Sequence, residues 1–302
     1  MRMPGLLLLA ALLAACAPDA SGAKKGVVRV TATTGMVADL ARRVGGDRVA
    51  VEALMGPGVD PHLYSASPSD LDRLRAADLV LYSGRLLEGK MTDIFTSLAR
   101  KKPVFAVTEG IADDRLLSPK ELEGHFDPHV WFDVALWADT LPVVAQALSE
   151  VDPKNAAEYR ARAEEYKAEL TKLHDEVKSA IATVPKERRV LITSHDAFRY
   201  FGRAYDLEVK GLQGVSTVQD AGVRDVQDLA NLIAERKIKA IFVETSVSEA
   251  SIRAVQKWAQ EKGHDVKIGG HLYSDAMGDQ PPEDTYPGMV RANVKTIVEA
   301  LR

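Results

Sequence analysis

Short runs rich in valine, isoleucine and leucine alternate with amphipathic stretches of helical period along the chain from Val27 onward. This alternation predicts parallel sheets built from strand–helix–strand units. In the first half the predicted strands are "VVRVTATT", "RVAVEALM", "LVLYSG" and "PVFAVTEG", with helices over "MVADLARRVGG", "PSDLDRLRAA" and "GKMTDIFTSLARK". The second half repeats the scheme, with strands "RVLITS", "LEVKGLQG", "AIFVETS" and "DVKIGG" and helices beginning near Ala197, Arg224, Glu249 and Asp284. The pattern predicts an α/β fold of two similar lobes, each with a four-stranded parallel sheet flanked by helices.

Between the halves, residues 152–185 open with Asp152 as a cap and Pro153 at the first helical position, and stop at Pro185. Tyr166, Leu170, Leu173, Val177, Ile181 and Val184 recur at spacings of three and four, which lays one apolar stripe along a single helix. About 30 residues rising 1.5 Å each make a rod of roughly 45 Å, long enough to run beside both lobes. Such a spine allows the lobes only small relative motions, where a Gly/Ser hinge would allow wide ones. The expected organisation is an N-terminal lobe over 27–151, a connecting helix over 152–185 and a C-terminal lobe over 186–302, because one core does not comfortably serve a chain of this length.

The first residues, "MRMPGLLLLAALLAAC", place an apolar run from Leu6 to Ala15 behind one basic residue, too short for a permanent membrane span. Residues 1–15 read as a secretory signal. Ala14 and Ala15 directly before Cys16, the only cysteine, resemble the lipobox of bacterial lipoproteins, which makes Cys16 the expected lipidated N-terminus and residues 16–26 a flexible tether. An ordinary signal peptide cut nearby is the alternative. One cysteine also excludes an internal disulfide. The balance of 39 basic and 43 acidic residues offers no basic stripe, so nucleic acid is not an expected partner.

Seven histidines are present, and their positions matter more than their number. His62 follows a predicted strand after a Gly-Pro-Gly loop, His195 leaves the strand "RVLITS" directly, and His129 lies between the turn "HFDP" and a helix starting near Val134. Ligands of open parallel sheets gather beyond the carboxyl ends of strands. His62 and His129 both end an Asp-Pro-His triplet, in "GVDPHLYSAS" and "FDPHVWFDV". Proline fixes its own φ and biases the residue before it, so both imidazoles are held in place. Order in advance favours metal ligation, since a mobile ring loses entropy on binding. Three neutral imidazoles need a further group, and "GGHLYSDAMGD" offers His271, Asp275 and Asp279 without ranking them. Glu244 is another carboxylate at a strand terminus, equally suited to capping a helix.

The blocks "GVDPHLYSASPSDLDRLRAADLVLYSG", "DPHVWFDV", "ITSHDAFRYFG", "GVSTVQDAGVRDVQDLANLIAERKIKAIFVETS" and "LYSDAMG" closely resemble the solute-binding proteins of zinc and manganese ABC importers, the cluster A-I group that includes lipoproteins once called adhesins. The resemblance covers nearly all of the mature chain. It implies a two-lobed receptor with one metal buried between the lobes, held by His62, His129, His195 and Asp275. His271 and Asp279 become neighbours without a direct bond, and Glu244 a supporting group. It further implies zinc or manganese as transported ligand, a membrane permease as partner, a monomer, and a membrane-anchored lipoprotein outside the cytoplasm. The long His-rich loop of many zinc-dedicated members is missing: "DDRLLSPKELEGH" carries only His125, which leaves zinc and manganese both open.

Two other functions share these residues. A secreted zinc hydrolase also uses three histidines, but Asp275 would close the position its water needs, and neither His-Glu-x-x-His nor Gly-x-Ser-x-Gly occurs. An enzyme is therefore not expected. A surface adhesin on the same fold needs partners that the residues do not specify.

Overall fold

The computed structural model describes residues 26–302. The expected signal segment, Cys16 and the tether up to residue 25 lie outside the described residues. In the first lobe, β1 (Val28–Ala32) leads through α1 (Gly35–Gly45) to β2 (Val49–Ala53). The chain continues through α2 (Pro68–Ala76), β3 (Leu79–Tyr82), α3 (Thr92–Ala99) and β4 (Val104–Ala106). The strands are parallel in the order β2-β1-β3-β4, as the alternation predicts. Two caps are visible in the sequence: the Thr34 hydroxyl accepts the Val37 amide, and Ser67 and Asp70 satisfy one another around Pro68.

A long irregular segment after β4 carries the second Asp-Pro-His triplet and ends in α4 (Val134–Ala138) and α5 (Leu141–Val151). The hydrophobic pattern does not predict α5, because "LPVVAQALSEV" is apolar on more than one face. The spine then starts one turn later than its Asp-Pro signal. Pro153–Asn155 form a 3₁₀ turn before α6 (Ala156–Ala182), and Asp152 turns its carboxylate to the Asn155 amide and the Tyr159 hydroxyl, at 2.6 and 2.7 Å. At 1.5 Å per residue its 27 residues span about 40 Å. Tyr159, Ala163, Tyr166, Leu170, Leu173, Val177 and Ile181 are the buried stripe.

The second lobe contains β5 (Val190–His195), α7 (Arg199–Tyr205), β6 (Glu208–Gln213), α8 (Val223–Glu235), β7 (Ala240–Glu244), α9 (Glu249–Glu261), β8 (Lys267–Leu272) and α10 (Tyr286–Leu301). Its four strands occupy the predicted places, but they bond as two parallel pairs, β5-β6 and β7-β8, and not as one four-stranded ladder. β5 and β7 pack side by side at the centre and are buried throughout. Where their carboxyl ends meet, the His195 amide donates to the side chain of Glu244 at 2.8 Å, so a carboxylate takes the place of a ladder carbonyl.

One continuous hydrophobic core runs through both lobes, from Val30 and Leu40 through the α6 stripe to Leu272, Tyr286 and Ile297. Each lobe also keeps a smaller cluster of its own, around Val80 and Phe95 in the first and Ile192 and Ile233 in the second. Residues of α6 reach both sides: Tyr166 donates to Asp39 of α1 at 2.5 Å, and Glu176 accepts from Arg291 of α10 at 2.9 Å. The seam between the lobes is therefore packed apolar surface below and loops above.

Candidate metal centre

Both Asp-Pro-His triplets fold into the same turn. The Asp60 Oδ1 atom accepts the His62 amide at 2.8 Å, and Asp127 Oδ1 accepts the His129 amide at 3.0 Å. An aspartate that caps the amide two residues on is an Asx-turn, which proline between them stiffens. His195 is the last residue of β5 and Asp275 lies in the loop after β8. The loops thus deliver four side chains to one point, and each is at most 5% exposed.

The separations have the dimensions of a coordination polyhedron. His129 Nε2 is 3.3 Å from His62 Nε2 and 3.4 Å from His195 Nε2. Asp275 Oδ1 is 3.5 Å from His129 Nε2, while Oδ2 is 3.3 Å from His195 Nε2 and 3.8 Å from His62 Nε2. A tetrahedron with edges of about 3.4 Å has its centre about 2.1 Å from each corner, which is the bond length zinc makes to imidazole nitrogen and carboxylate oxygen.

The hydrogen bonds decide what the cluster can accept. Asp127 Oδ1 takes the Nδ1 proton of His129 at 2.7 Å, and Glu244 Oε2 lies 2.5 Å from Nδ1 of His195. With its proton fixed on Nδ1, His129 turns a lone pair inward at Nε2, and the Glu244 carboxylate beside Nδ1 of His195 favours the same tautomer there. Both oxygens of Asp275 are buried and have no donor. A buried ring of acceptors is costly unless a cation satisfies it. These four residues are the group among the described residues with the donor set for a metal ion.

Electrostatics divides the rings. Burial pushes the pKa of His62 down to about 3, so this ring is neutral and ready to bind. Burial would also lower His195, but the carboxylates of Glu244 and Asp275 outweigh it and hold its pKa well above the ordinary imidazole range. Burial raises Asp275, and is overcome by the charge of the neighbouring His195 together with the charges of His129 and His62. Its carboxyl stays well below the usual range and ionised. A proton on His195 Nε2 therefore competes with a metal for the same lone pair.

All four expected ligands converge, and the neighbours weighed against Asp275 fall elsewhere. His271 is largely exposed and pairs with Glu249 at 2.8 Å, and Asp279 is exposed. Glu244 approaches His195 from behind, on the side away from the other imidazoles. Four supporting residues are not readable from the pattern. Asp127 grips a ring as well as a backbone, which the triplet hints at but does not state. Trp131 donates Nε1–H to the Ser274 carbonyl at 3.0 Å, tying the His129 loop to the Asp275 loop, and Ser246 bonds the Ser274 hydroxyl at 2.7 Å. Thr217 donates to Asp60 Oδ2 at 2.5 Å across the seam.

Comparison with known proteins agrees with this geometry. Residues 30–300 match the family described as zinc-uptake complex component A, periplasmic. The manganese-binding lipoprotein MntA of Bacillus subtilis is 48% identical over 99% of this chain and 98% of its own length. The zinc-binding protein TroA of Treponema pallidum is 47% identical over 92% of this chain and 90% of its own. The solved structure of periplasmic zinc-binding TroA superposes with a TM-score of 0.89 at 47% identity, covering 91% of this chain and 99% of that one. With two lobes, a long spine and a His₃Asp cluster at their seam, the chain belongs to the family of zinc-uptake complex component A, periplasmic.

Proposed function

We propose that the protein is the extracytoplasmic receptor of an ABC importer, which captures one zinc or manganese ion between its lobes and hands it to a membrane permease. The observation that carries this reading is the convergence of three imidazole nitrogens and a carboxylate, drawn from both lobes, with one ligand atom of each within 4.8 Å of all the others. His62 and His129 come from the first lobe, His195 and Asp275 from the second. Closure is then coordination itself, and the metal-loaded form differs from the free form in lobe position. Bound through one oxygen, Asp275 completes a tetrahedron suited to zinc; bound through both, it gives the five-coordinate site that accommodates manganese.

The remaining assignments complete the proposal. The folded body divides at 27–151, 152–185 and 186–302; residues 1–15 are removed on export; Cys16 carries the lipid that anchors a monomer to the membrane; and the protein catalyses no reaction. Competition titration of the metal-free protein with zinc and manganese, and metal analysis of protein from its own host, test the core of it. His195→Ala should lower affinity by about a hundredfold or more, while His174→Ala, against Tyr205 on the spine, should leave it unchanged. Equal losses would refute the ligand set. Growth of a deletion strain under metal limitation separates import from adhesion, since only an importer defect is relieved by excess metal.

A further inference from the structure

Asp127 and Glu244 stand behind the rings of His129 and His195, but among the described residues no donor reaches either oxygen of Asp275. Its Oδ1 faces His129 at 3.5 Å, and its Oδ2 faces His195 and His62 at 3.3 and 3.8 Å. The carboxylate therefore turns both oxygens to the centre, and only its backbone can be holding it there. That backbone is gripped at three successive residues. Tyr273 donates its amide to Asn293 Oδ1 at 2.9 Å, and its carbonyl accepts Asn293 Nδ2 at 2.7 Å. The Ser274 carbonyl accepts Trp131 Nε1 of the first lobe at 3.0 Å. The Asp275 amide reaches Ser246 Oγ at 3.4 Å.

Asn293 lies inside α10 and is 3% exposed. Asparagine is a poor helix former, and a buried amide is costly without partners. This one gives both its groups to a single backbone residue, as a neighbouring strand would, directly after β8 ends at Leu272. Two turns earlier on the same face of the helix stands Tyr286, fully buried, whose hydroxyl donates to the Trp131 carbonyl at 2.7 Å. The Trp131 ring packs edge-on against the ring of His129, with centroids 5.2 Å apart. One face of α10 thus grips the Asp275 loop directly and the His129 loop through Trp131. It fixes the spacing between a ligand of each lobe.

We propose that Asn293 and Tyr286 of α10 set the approach of Asp275 and, with it, the balance between zinc and manganese; the inference rests on the receptor reading above. Both are positioning residues, since neither side chain belongs to the ligand cluster. Zinc binds a given donor set more tightly than manganese does, so selectivity for manganese has to come from geometry. The brace supplies that geometry by keeping both carboxylate oxygens on the centre, the five-coordinate arrangement. Released from it, Asp275 pivots to present one oxygen, and the tetrahedral site that results favours zinc.

Competition titration of the purified protein with zinc and with manganese, each against a chelator, tests the proposal. If the unaltered chain binds neither metal, the receptor reading falls and this one with it. A chain that binds zinc but not manganese keeps the receptor reading and overturns this one. If both bind, Asn293→Ala should lower manganese affinity at least about tenfold more than zinc affinity, the scale on which groups behind a metal ligand act. Tyr286→Phe removes one hydroxyl and keeps the packing, and should shift the ratio the same way by about fivefold. Cobalt(II) gives a second reading, because its visible absorption is stronger in four-coordinate than in five-coordinate sites; it should rise in both variants. Equal losses of the two metals, or an unchanged cobalt spectrum, overturn the proposal. Should Asn293→Ala fail to fold, Tyr286→Phe decides alone. Val226→Ala, in the second lobe's own apolar cluster, should affect both metals alike. A shifted ratio there would mean that the ratio follows stability, and overturns the proposal as well.

Discussion

The two Asp-Pro-His triplets share a sequence and a turn, yet the structure uses them differently. In each, the aspartate accepts the amide of the histidine two residues on. At the second copy the same Asp127 oxygen also grips Nδ1 of His129, in full burial. At the first copy Asp60 leaves the His62 ring alone and gives its other oxygen to Thr217, 157 residues away in the opposite lobe. One carboxylate orients a buried imidazole and the other bolts two lobes together. Local sequence determines the turn, and distant chain determines what the turn is for.

The largest test removes the rings themselves. A structural zinc site is worth roughly 10–16 kcal/mol, so one of four ligands carries about a quarter of that, or about a hundredfold to a thousandfold in affinity. His62→Ala should fall at the lower end. His129→Ala should exceed it, because it also strips Asp127 of its ring partner and leaves a buried carboxylate with only the backbone amide of residue 129. Competition against a chelator of known affinity measures both, and equal losses would erase the distinction between the copies.

Acidity separates His195 from His62 with an effect of about tenfold per pH unit. The raised pKa of His195 means that the metal must displace a proton from it. Above that pKa the proton is already gone and affinity is flat; below it, each unit of acidification lowers affinity tenfold. The decline therefore begins above the ordinary imidazole value of about 6.5 that the sequence alone suggests. His62, with a pKa of about 3, adds no further slope over the working range. Titrations between pH 8 and 5 check this, and Glu244→Gln should move the onset to lower pH. A profile unchanged by that substitution would show that the Glu244 carboxylate does not set the proton.

Asp127→Asn ranks next, at about tenfold to a hundredfold, the usual cost of losing a carboxylate behind a metal-binding histidine. The amide keeps the turn but accepts the Nδ1 proton more weakly. Calorimetry on metal-free protein should find the fold intact and the enthalpy of binding reduced.

What could be read before the structure follows from which interactions are local. Strands and helices are written in hydrophobic period, and the α6 stripe from Tyr166 to Ile181 lies as the spacing of three and four dictates. His62, His129 and His195 stand out because they sit at strand ends or behind a proline. Asp275 could not be separated from His271 and Asp279 by spacing, since nothing within "GGHLYSDAMGD" states which side chain turns inward; the family resemblance chose it, and the burial of Asp275 between the lobes explains the choice. The split of the second lobe into two strand pairs and the bond from Trp131 to Ser274 are tertiary facts. They depend on residues more than a hundred positions apart, or on a glutamate side chain replacing a backbone partner, and no periodicity records either.

The smallest effect belongs to the bolt. Thr217→Val preserves the shape of the residue and deletes one hydroxyl donor to Asp60. A hydrogen bond to a charged, partly buried acceptor contributes about 1–2 kcal/mol, and only the closed form makes it. Metal dissociation should therefore quicken about fivefold to thirtyfold, at the lower end if water replaces the hydroxyl, with little change in the rate of capture. Stopped-flow chase with excess chelator reads the two rates separately. Asp60→Asn should act mainly through the same contact, so the double variant should add little to either single one. Additive losses would mean that Asp60 serves His62 through its turn alone, making the two triplets functionally alike after all. A non-additive pair with unchanged capture would place the Asp60 carboxylate on the opening step, a role that Asp127, sealed behind its own ring, has no geometry to share.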